Sequence, residues 1–530
     1  MSDHSSAGQP RAPSSASGRA GAAVPLSVLP LGLPPALWVA PVLGFKFWLA
    51  AVFPFTGDEA YFTVWGMRPD FGFYDHPPMI GWLLALLLRF SSAEWLLRLP
   101  AVLGPALVAL ALWFALRRID PERALLAALA LLLAPVHVWN VFITTDAPLA
   151  LLSVLSGLAF WRALERRSPR WHAAAGVFLG LAFLSKYFAA LLGFAYLAHL
   201  LLSPRAERDW RGLALTFACA APFVLLNLWW NYGHCWANLM FNLYNRHDEA
   251  GFSLKNPPLY LLSALYVLSP VALWQLLGGR SVVARAWGRR GFRFLTLAWA
   301  APFAVFAALS LAKTVGLHWL LSFVPFFFAS LVYVLSAAQL RRSVIFLAAF
   351  SALHIMVAGI AAIVPLEKWQ SARFYDGIVF HFRIGQVLEA MRPYLEEFEP
   401  AADGYSAAAT ASYHAGRYVF VFGTASSHAR HDDILTDFRR LDGRNIMVLR
   451  KSPPQPAEYE PYFRSVELKS FAVAGATFHL ALGRGFDYAA YRERVLSPLR
   501  ERYYRIPAYL PQGHCYFCER YFNQASCPAR

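Results

Sequence analysis

Two short polar runs, Thr56-Gly57-Asp58-Glu59-Ala60-Tyr61 and Tyr74-Asp75-His76-Pro77-Pro78-Met79, place three carboxylates and an imidazole close together in an otherwise apolar stretch. Adjacent carboxylates where a chain leaves a membrane can serve as a general base and its neighbour. Further along come Asp146 in Thr144-Thr145-Asp146-Ala147-Pro148, Lys186 in Ser185-Lys186-Tyr187, and Lys313 followed by His318-Trp319. Each has a plain alternative when taken alone. Asp58 and Glu59 suit a solvated loop. Asp75 and His76 suit the cap of a helix entered through Pro-Pro. Asp146 suits an N-cap, Lys186 a snorkelling lysine, and His318 an interfacial position beside an anchoring Trp. Together they suit one chemistry. Cations neutralise the oxygens of a lipid-linked phosphate, and a carboxylate receives a proton from the attacking group.

Those residues need a scaffold, and the composition says what kind. Of 530 residues, 58% are hydrophobic and 15% charged, with a mean hydropathy of +0.41. Soluble domains sit nearer half apolar and a quarter charged. Aromatics reach 16%, as suits wide membrane–water interfaces. The chain reads as a polytopic α-helical membrane protein with a soluble α/β domain after it. About eleven apolar stretches, near 33–55, 98–117, 124–143, 147–162, 172–190, 188–202, 212–230, 258–278, 294–312, 319–338 and 344–365, approach the ~20 residues that span a bilayer. The stretch 77–90 is too short to span and predicts a helix lying in the interface.

The net charge of +16 is mostly a topology signal. With the N-terminus inside, seventeen Lys and Arg fall in inner loops, grouped at 117–123, 162–170, 205–211, 280–293 and 341–342. Seven fall on the opposite side up to residue 365: Arg68, Arg89, Arg98, Lys186, Arg246, Lys255 and Lys313. By the positive-inside rule that opposite side is the non-cytoplasmic one. It also carries Asp58, Glu59, Asp75, His76, Asp146, Lys186, Lys313 and His318. No basic face on a soluble fold is left over for nucleic acid.

The organisation that follows has a disordered cytoplasmic tail over 1–25 and a transmembrane domain over 26–365, whose outer loop 56–97 carries the first motifs. An α/β domain over 366–530 follows on the non-cytoplasmic side, with strand-like runs at 418–422 and 445–449 and helical patterns at 384–398 and 405–414. Neither a GxxxxGK[ST] loop nor a Rossmann glycine fingerprint occurs in the inner loops, which argues against a nucleotide-linked donor.

The last residues read His514-Cys515-Tyr516-Phe517-Cys518, then Cys527. His514, Cys515, Cys518 and Cys527 could form a structural zinc site, or the cysteines could pair in disulfides in an oxidising compartment. Cys235 could supply a fourth thiol. Cys219 suits a buried small apolar position. Either way this tail reads as structural, and apart from that zinc the sequence names no cofactor, a divalent cation staying open.

Several motifs in order resemble bacterial family-39 glycosyltransferases, relatives of protein O-mannosyltransferases and of the lipid A aminoarabinose transferase. They are Gly57-Asp58-Glu59-Ala60-Tyr61, Phe73-Tyr74-Asp75-His76-Pro77-Pro78-Met79-Ile80 and Arg98-Leu99-Pro100-Ala101. Thr145-Asp146-Ala147-Pro148, Leu184-Ser185-Lys186-Tyr187, Asn227-Leu228-Trp229-Trp230-Asn231 and His318-Trp319-Leu320-Leu321 continue the series, with a looser match at Asp403-Gly404-Tyr405.

The resemblance implies a GT-C fold with an outward-facing site and a polyprenyl-phosphate-linked sugar as donor. It implies Asp58 as the catalytic carboxylate with Glu59 beside it, and Tyr61, Tyr74, Asp75, His76, Asp146 and Tyr187 around the donor and acceptor pocket. Lys186, His318 and Lys313 would lie near the lipid phosphate. The acceptor would be an envelope glycolipid of the lipid A type, or, second, a protein. An acceptor that is itself a phosphate would need no base, and Asp58 would then orient it. One departure is that the aminoarabinose transferase has Glu-Lys before its Pro-Pro, where this chain has Asp75-His76. The rival reading is a lipid or sugar transporter of the envelope, which should carry ionisable residues at mid-membrane. Lys46 is the main candidate for that.

Overall fold

Local chemistry sets where the helices of the apolar half begin. Proline occupies the first turn of Pro35–Val52, Pro121–Leu132, Pro169–Phe183 and Asn256–Leu268, where its missing N–H leaves no intrahelical bond unmade. Asp120, Asp209 and Ser336 cap their helices by accepting from the N–H groups of Arg123, Gly212 and Gln339. The structure, a computed structural model, describes residues 32–247, 251–424, 431–523 and 527. The tail expected over 1–25 lies outside the described residues.

Six of the described helices are long and apolar enough to cross a membrane: Pro35–Val52, Glu94–Leu116, Asp146–Arg166, Trp210–Tyr232, Arg290–Ser310 and Ala337–Ile363. A seventh crossing is added if Asn256–Leu268 and Pro270–Gly278, bent by 88° at Ser269, count as one. The other expected spans correspond to shorter helices, Pro121–Leu132, Pro169–Phe183, Ala189–Leu202 and Val324–Val334. Val324–Val334 has 11 residues and is buried almost throughout. At 1.5 Å per residue it is ~16 Å long, about half of a bilayer's apolar thickness. The stretch 77–90 holds the ten-residue helix Met79–Leu88, which buries Ile80, Gly81 and Leu84 and exposes Leu86.

Between membrane helices the hydrophobic effect gives little drive, so close backbone packing must supply the cohesion. Gly176 and Gly180 of Pro169–Phe183 do this against Trp210–Tyr232. A Cβ on Gly176 would meet the Thr216 carbonyl oxygen at 2.1 Å, and one on Gly180 would meet the Phe223 ring at 2.3 Å.

Beyond Ile363 the chain builds a five-stranded sheet of β1 (Glu399–Ala402), β2 (Phe420–Val421), β3 (Ile446–Arg450), β4 (Phe463–Val473) and β5 (Ala476–Phe486), in the order β2-β1-β3-β5-β4. The first three strands are parallel, and β5 runs antiparallel to both β3 and β4. The β4–β5 hairpin, which the sequence reading does not name, turns at Ala474 and Gly475, both left-handed at φ 47° and 82°, as a two-residue hairpin of matching twist requires. Alternate residues face opposite sides. Met447, Leu449, Leu480 and Leu482 pack on Val379, Val387 and Ala408. Ile446, Val448 and Ala481 share a cluster with Tyr491, the C-terminal cysteines, and Tyr74 and Phe241 from the membrane half.

The two halves are fastened at several points. Helix Gly57–Met67 packs on helix Tyr405–Ala415, and a Cβ on Gly57 would fall 1.7 Å from Ser406 Oγ. Tyr413 donates to the Ser92 carbonyl (2.6 Å) and Trp236 to that of Pro511 (2.9 Å). Cys235 and Cys515 form a disulfide across 280 residues of chain, and Cys518 pairs with Cys527. All four sulfurs are thus engaged with one another. His514 Nδ1 lies 2.8 Å from Glu519 Oε1, and with the four thiols paired no thiolate of the group is free for the zinc alternative. Cys219 is free and half-buried.

Candidate active site

The first turn of Gly57–Met67 separates two neighbouring carboxylates. Successive helical residues point about 100° apart, so Asp58 faces outward while Glu59 turns inward and is fully buried. Glu59, expected beside Asp58 as a catalytic carboxylate, is instead a structural anchor. Its Oε1 and Oε2 each accept from Arg98 at 2.7 Å, through Nε and Nη2. Oε1 also accepts from the Ile143 N–H, and Oε2 from the backbone N–H of Thr56, closing a capping box. Arg98 carries further bonds to the carbonyls of Ala50, Phe53 and Pro54. No face of Glu59 is left for a substrate.

Asp58 lines a cavity of about 430 Å³ together with Tyr61, Asp75, His76, Asp146, Lys186 and His318. These come from five separate segments, and their convergence is what the fold accomplishes. Asp75 accepts from the Tyr61 hydroxyl at 3.1 Å, and its backbone carbonyl accepts from Asn242. Burial lifts its carboxyl to about 7, so near neutral pH it exchanges a proton readily. His76 is held well below the usual imidazole range by burial, then by the charges of Lys186 and Arg246. It is neutral near neutral pH. His318 sits in the turn Leu317–Leu320 and is lowered to about 4, chiefly by burial, with Lys186 adding to it. It can donate one N–H but brings no charge.

Asp146 is the first residue of its helix and makes no cap. Both its oxygens accept from Lys186 Nζ, at 2.9 and 3.0 Å. Lys186 is correspondingly 6% exposed, a buried ion pair in place of a snorkelling stem.

Besides Glu59, three residues expected at the site stand outside the cavity lining. Tyr74 is buried against Phe241 and Tyr504, its hydroxyl accepting from Asn245. Tyr187 donates to Asn227 at 2.7 Å. Lys313 places Nζ 5.3 Å from the centre of the Trp319 ring and is lowered to about 8 by burial and by Arg246.

Two polar residues of the lining are named in the sequence reading but given no role at the site there. Arg246, in the short turn Asn245–His247 after helix Ala237–Leu243, lies over Phe241 and Trp319 and faces the same space. Its only signal is that it is one of few outer-face cations. Tyr405 arrives from the C-terminal domain and donates to Asp58 Oδ1 at 2.9 Å. A narrower, mainly apolar space of about 50 Å³ runs beside Leu99–Leu116 and shares Asn140, Phe142, Thr144, Asp146 and Leu321 with the cavity. Lys46, the mid-membrane candidate, is tied to the carbonyls of Ala101 and His137 at 2.9 Å each, so it serves the packing of three segments.

The arrangement holds acids able to accept a proton, two cations able to meet an anionic group, and a wall of aromatics. Among the described residues, the one set of three ligand atoms close enough to share an ion is Cys515, Cys518 and Cys527, which are already in disulfides.

Residues 75–230 match a family described as dolichyl-phosphate-mannose-protein mannosyltransferase. The lipid A galacturonosyltransferase RgtD of Rhizobium johnstonii is 28% identical over 257 residues, which is 45% of this chain and 54% of that protein. The chain thus spans about half the length of that curated relative. Among solved structures, ArnT from Cupriavidus metallidurans superimposes with a TM-score of 0.58 in its apo state and 0.60 bound to undecaprenyl phosphate, at 16% and 15% identity. Each covers 84% of this chain and 97% of the ArnT chain. The fold is the GT-C fold of ArnT, in a multi-pass membrane protein related to membrane glycosyltransferases.

Proposed function

We propose that the chain is an inverting glycosyltransferase that moves a sugar from a polyprenyl-phosphate donor to an envelope glycolipid of the lipid A type, at the periplasmic face. The observation that carries this is the single cavity in which Asp58 and Asp75 meet Lys186 and Arg246. Lys186 and Arg246 bind the phosphate, and His318 adds a neutral N–H. Asp58 takes the proton of the acceptor hydroxyl as that oxygen attacks the anomeric carbon. The bond from that carbon to the phosphate oxygen breaks on the opposite face, and its electron pair leaves with the phosphate, where the cations stabilise it.

The donor class is supported by the undecaprenyl phosphate bound to ArnT, and the acceptor class by the name of the Rhizobium relative. The excess of Lys and Arg in the loops opposite the cavity supports an N-terminus inside and the α/β domain outside. The transporter alternative is not favoured, because Lys46 faces carbonyls and not a path.

The test is Asp58→Asn, assayed in detergent with polyprenyl-phosphate-linked galacturonic acid and purified lipid A. Removing a general base should lower turnover about 10²-fold or more. Turnover equal to wild type would overturn the assignment.

A further inference from the structure

We infer that the C-terminal domain completes the active site, with Tyr405 as a positioning residue that fixes the orientation of the Asp58 carboxylate. This rests on the function proposed above and assigns a part of it to a domain outside the membrane.

The hydroxyl of Tyr405 donates to Asp58 Oδ1 at 2.9 Å, across 347 residues of chain. Asp58 is exposed and makes no other side-chain hydrogen bond among the described residues; its neighbour Glu59 is locked to Arg98. Without Tyr405 the Asp58 carboxylate would swing freely, and a base must lie within hydrogen-bond reach of the proton it takes. Tyr405 itself cannot drift. It is the first residue of helix Tyr405–Ala415, directly after β1, and its ring meets Tyr61 edge-on at 5.1 Å. Ser406 abuts Gly57 so closely that any side chain at position 57 would collide with it. The two helix starts are therefore registered against each other, and the hydroxyl and the carboxylate meet as a result. Burial and the charge of Asp58 both push the Tyr405 phenol up, so it remains a donor throughout the working range.

The topology explains why a soluble domain supplies this group. β1 pairs in parallel with β2 on one side and β3 on the other, so the order in which strands are added switches sides at the carboxyl end of β1. In open α/β sheets that is where functional side chains gather. Here that corner, carrying Tyr405, is turned onto the membrane cavity.

Tyr405→Phe should lower kcat about tenfold while leaving the KM for the lipid-linked donor within twofold, the split expected when a base loses its orientation and the donor site stays intact. Tyr413→Phe is the control. It removes another bond between the same helix and the membrane half, to Ser92, away from the cavity. It should leave kcat and the donor KM unchanged. Four outcomes are informative. A loss of kcat at constant donor KM in Tyr405→Phe alone supports the inference. Equal losses in both variants would reduce Tyr405 to a docking contact and overturn it. Wild-type kinetics in Tyr405→Phe with an inactive Asp58→Asn would overturn the inference and leave the proposed function standing. An active Asp58→Asn would overturn both.

Discussion

Replacing Glu59 by Gln separates a structural carboxylate from a catalytic one. In the native protein both oxygens of Glu59 accept from Arg98 at 2.7 Å, and both side chains are fully buried. Gln keeps the shape but removes the charge and one acceptor. Its NH₂ must then face Arg98 Nη2 or the Thr56 N–H, donor against donor. Breaking a buried ion pair from one side leaves an uncompensated charge and typically costs about 3–5 kcal/mol. Loss of the capping box adds ~1 kcal/mol, so a total near 4–6 kcal/mol is expected, a large share of any domain's stability. Arg98→Met in addition should recover only part, because the carbonyls of Ala50, Phe53 and Pro54 would lose their donor. The measurement is the heat-induced loss of monodisperse protein in detergent, paired with turnover normalised to the folded fraction. Glu59→Gln should melt far earlier yet retain per-molecule turnover within about threefold. A variant as heat-stable as wild type but inactive would refute the reasoning and return Glu59 to the chemistry.

Asp75 gives a pH prediction of definite sign. Its carboxyl is raised from 3.8 to about 7 in the folded protein, so the native state holds a proton that the unfolded chain has released, and stability falls as pH rises from about 4 to about 7. Asp75→Asn should therefore raise the melting temperature at pH 8 and leave it nearly unchanged at pH 4; equal effects at both would show that the carboxyl is not perturbed. The Cys235–Cys515 bond closes a loop of 280 residues, so Cys235→Ser should cost roughly 2–5 kcal/mol, read as earlier release of the C-terminal domain to protease. Alkylation of unreduced, denatured wild-type protein should label Cys219 alone, and labelling of all five cysteines would overturn the pairing.

Much of the site could be read from residue types because ionisable groups are scarce in an apolar chain. Asp58, Asp75, Asp146, Lys186 and His318 stand out for that reason, and they line one cavity. What stayed hidden depends on direction and burial, which no spacing reveals. Asp58 and Glu59 are adjacent letters, yet one helical step sends the second into the bundle onto Arg98. The two histidines look like cations until burial beside Lys186 strips them of charge. Tyr405 lies hundreds of residues from Asp58, in a domain whose contact with the membrane half is tertiary. For the fold, composition and hydropathy located the helices, whereas length separated the six long ones from the short buried ones. Strand-like runs led to β2 and β3, but β4 alternates charged and apolar residues on an exposed edge and was passed over.

The Cys235–Cys515 bond also obeys a parity rule. A disulfide joins sulfurs in one compartment, so the chain between its ends must cross the bilayer an even number of times. Arg290–Ser310 and Ala337–Ile363 are two such crossings. The bent pair ending at Gly278 and the short helix Val324–Val334 must then either both traverse or both turn back. One covalent bond ties together the fates of two helices whose lengths alone leave them ambiguous.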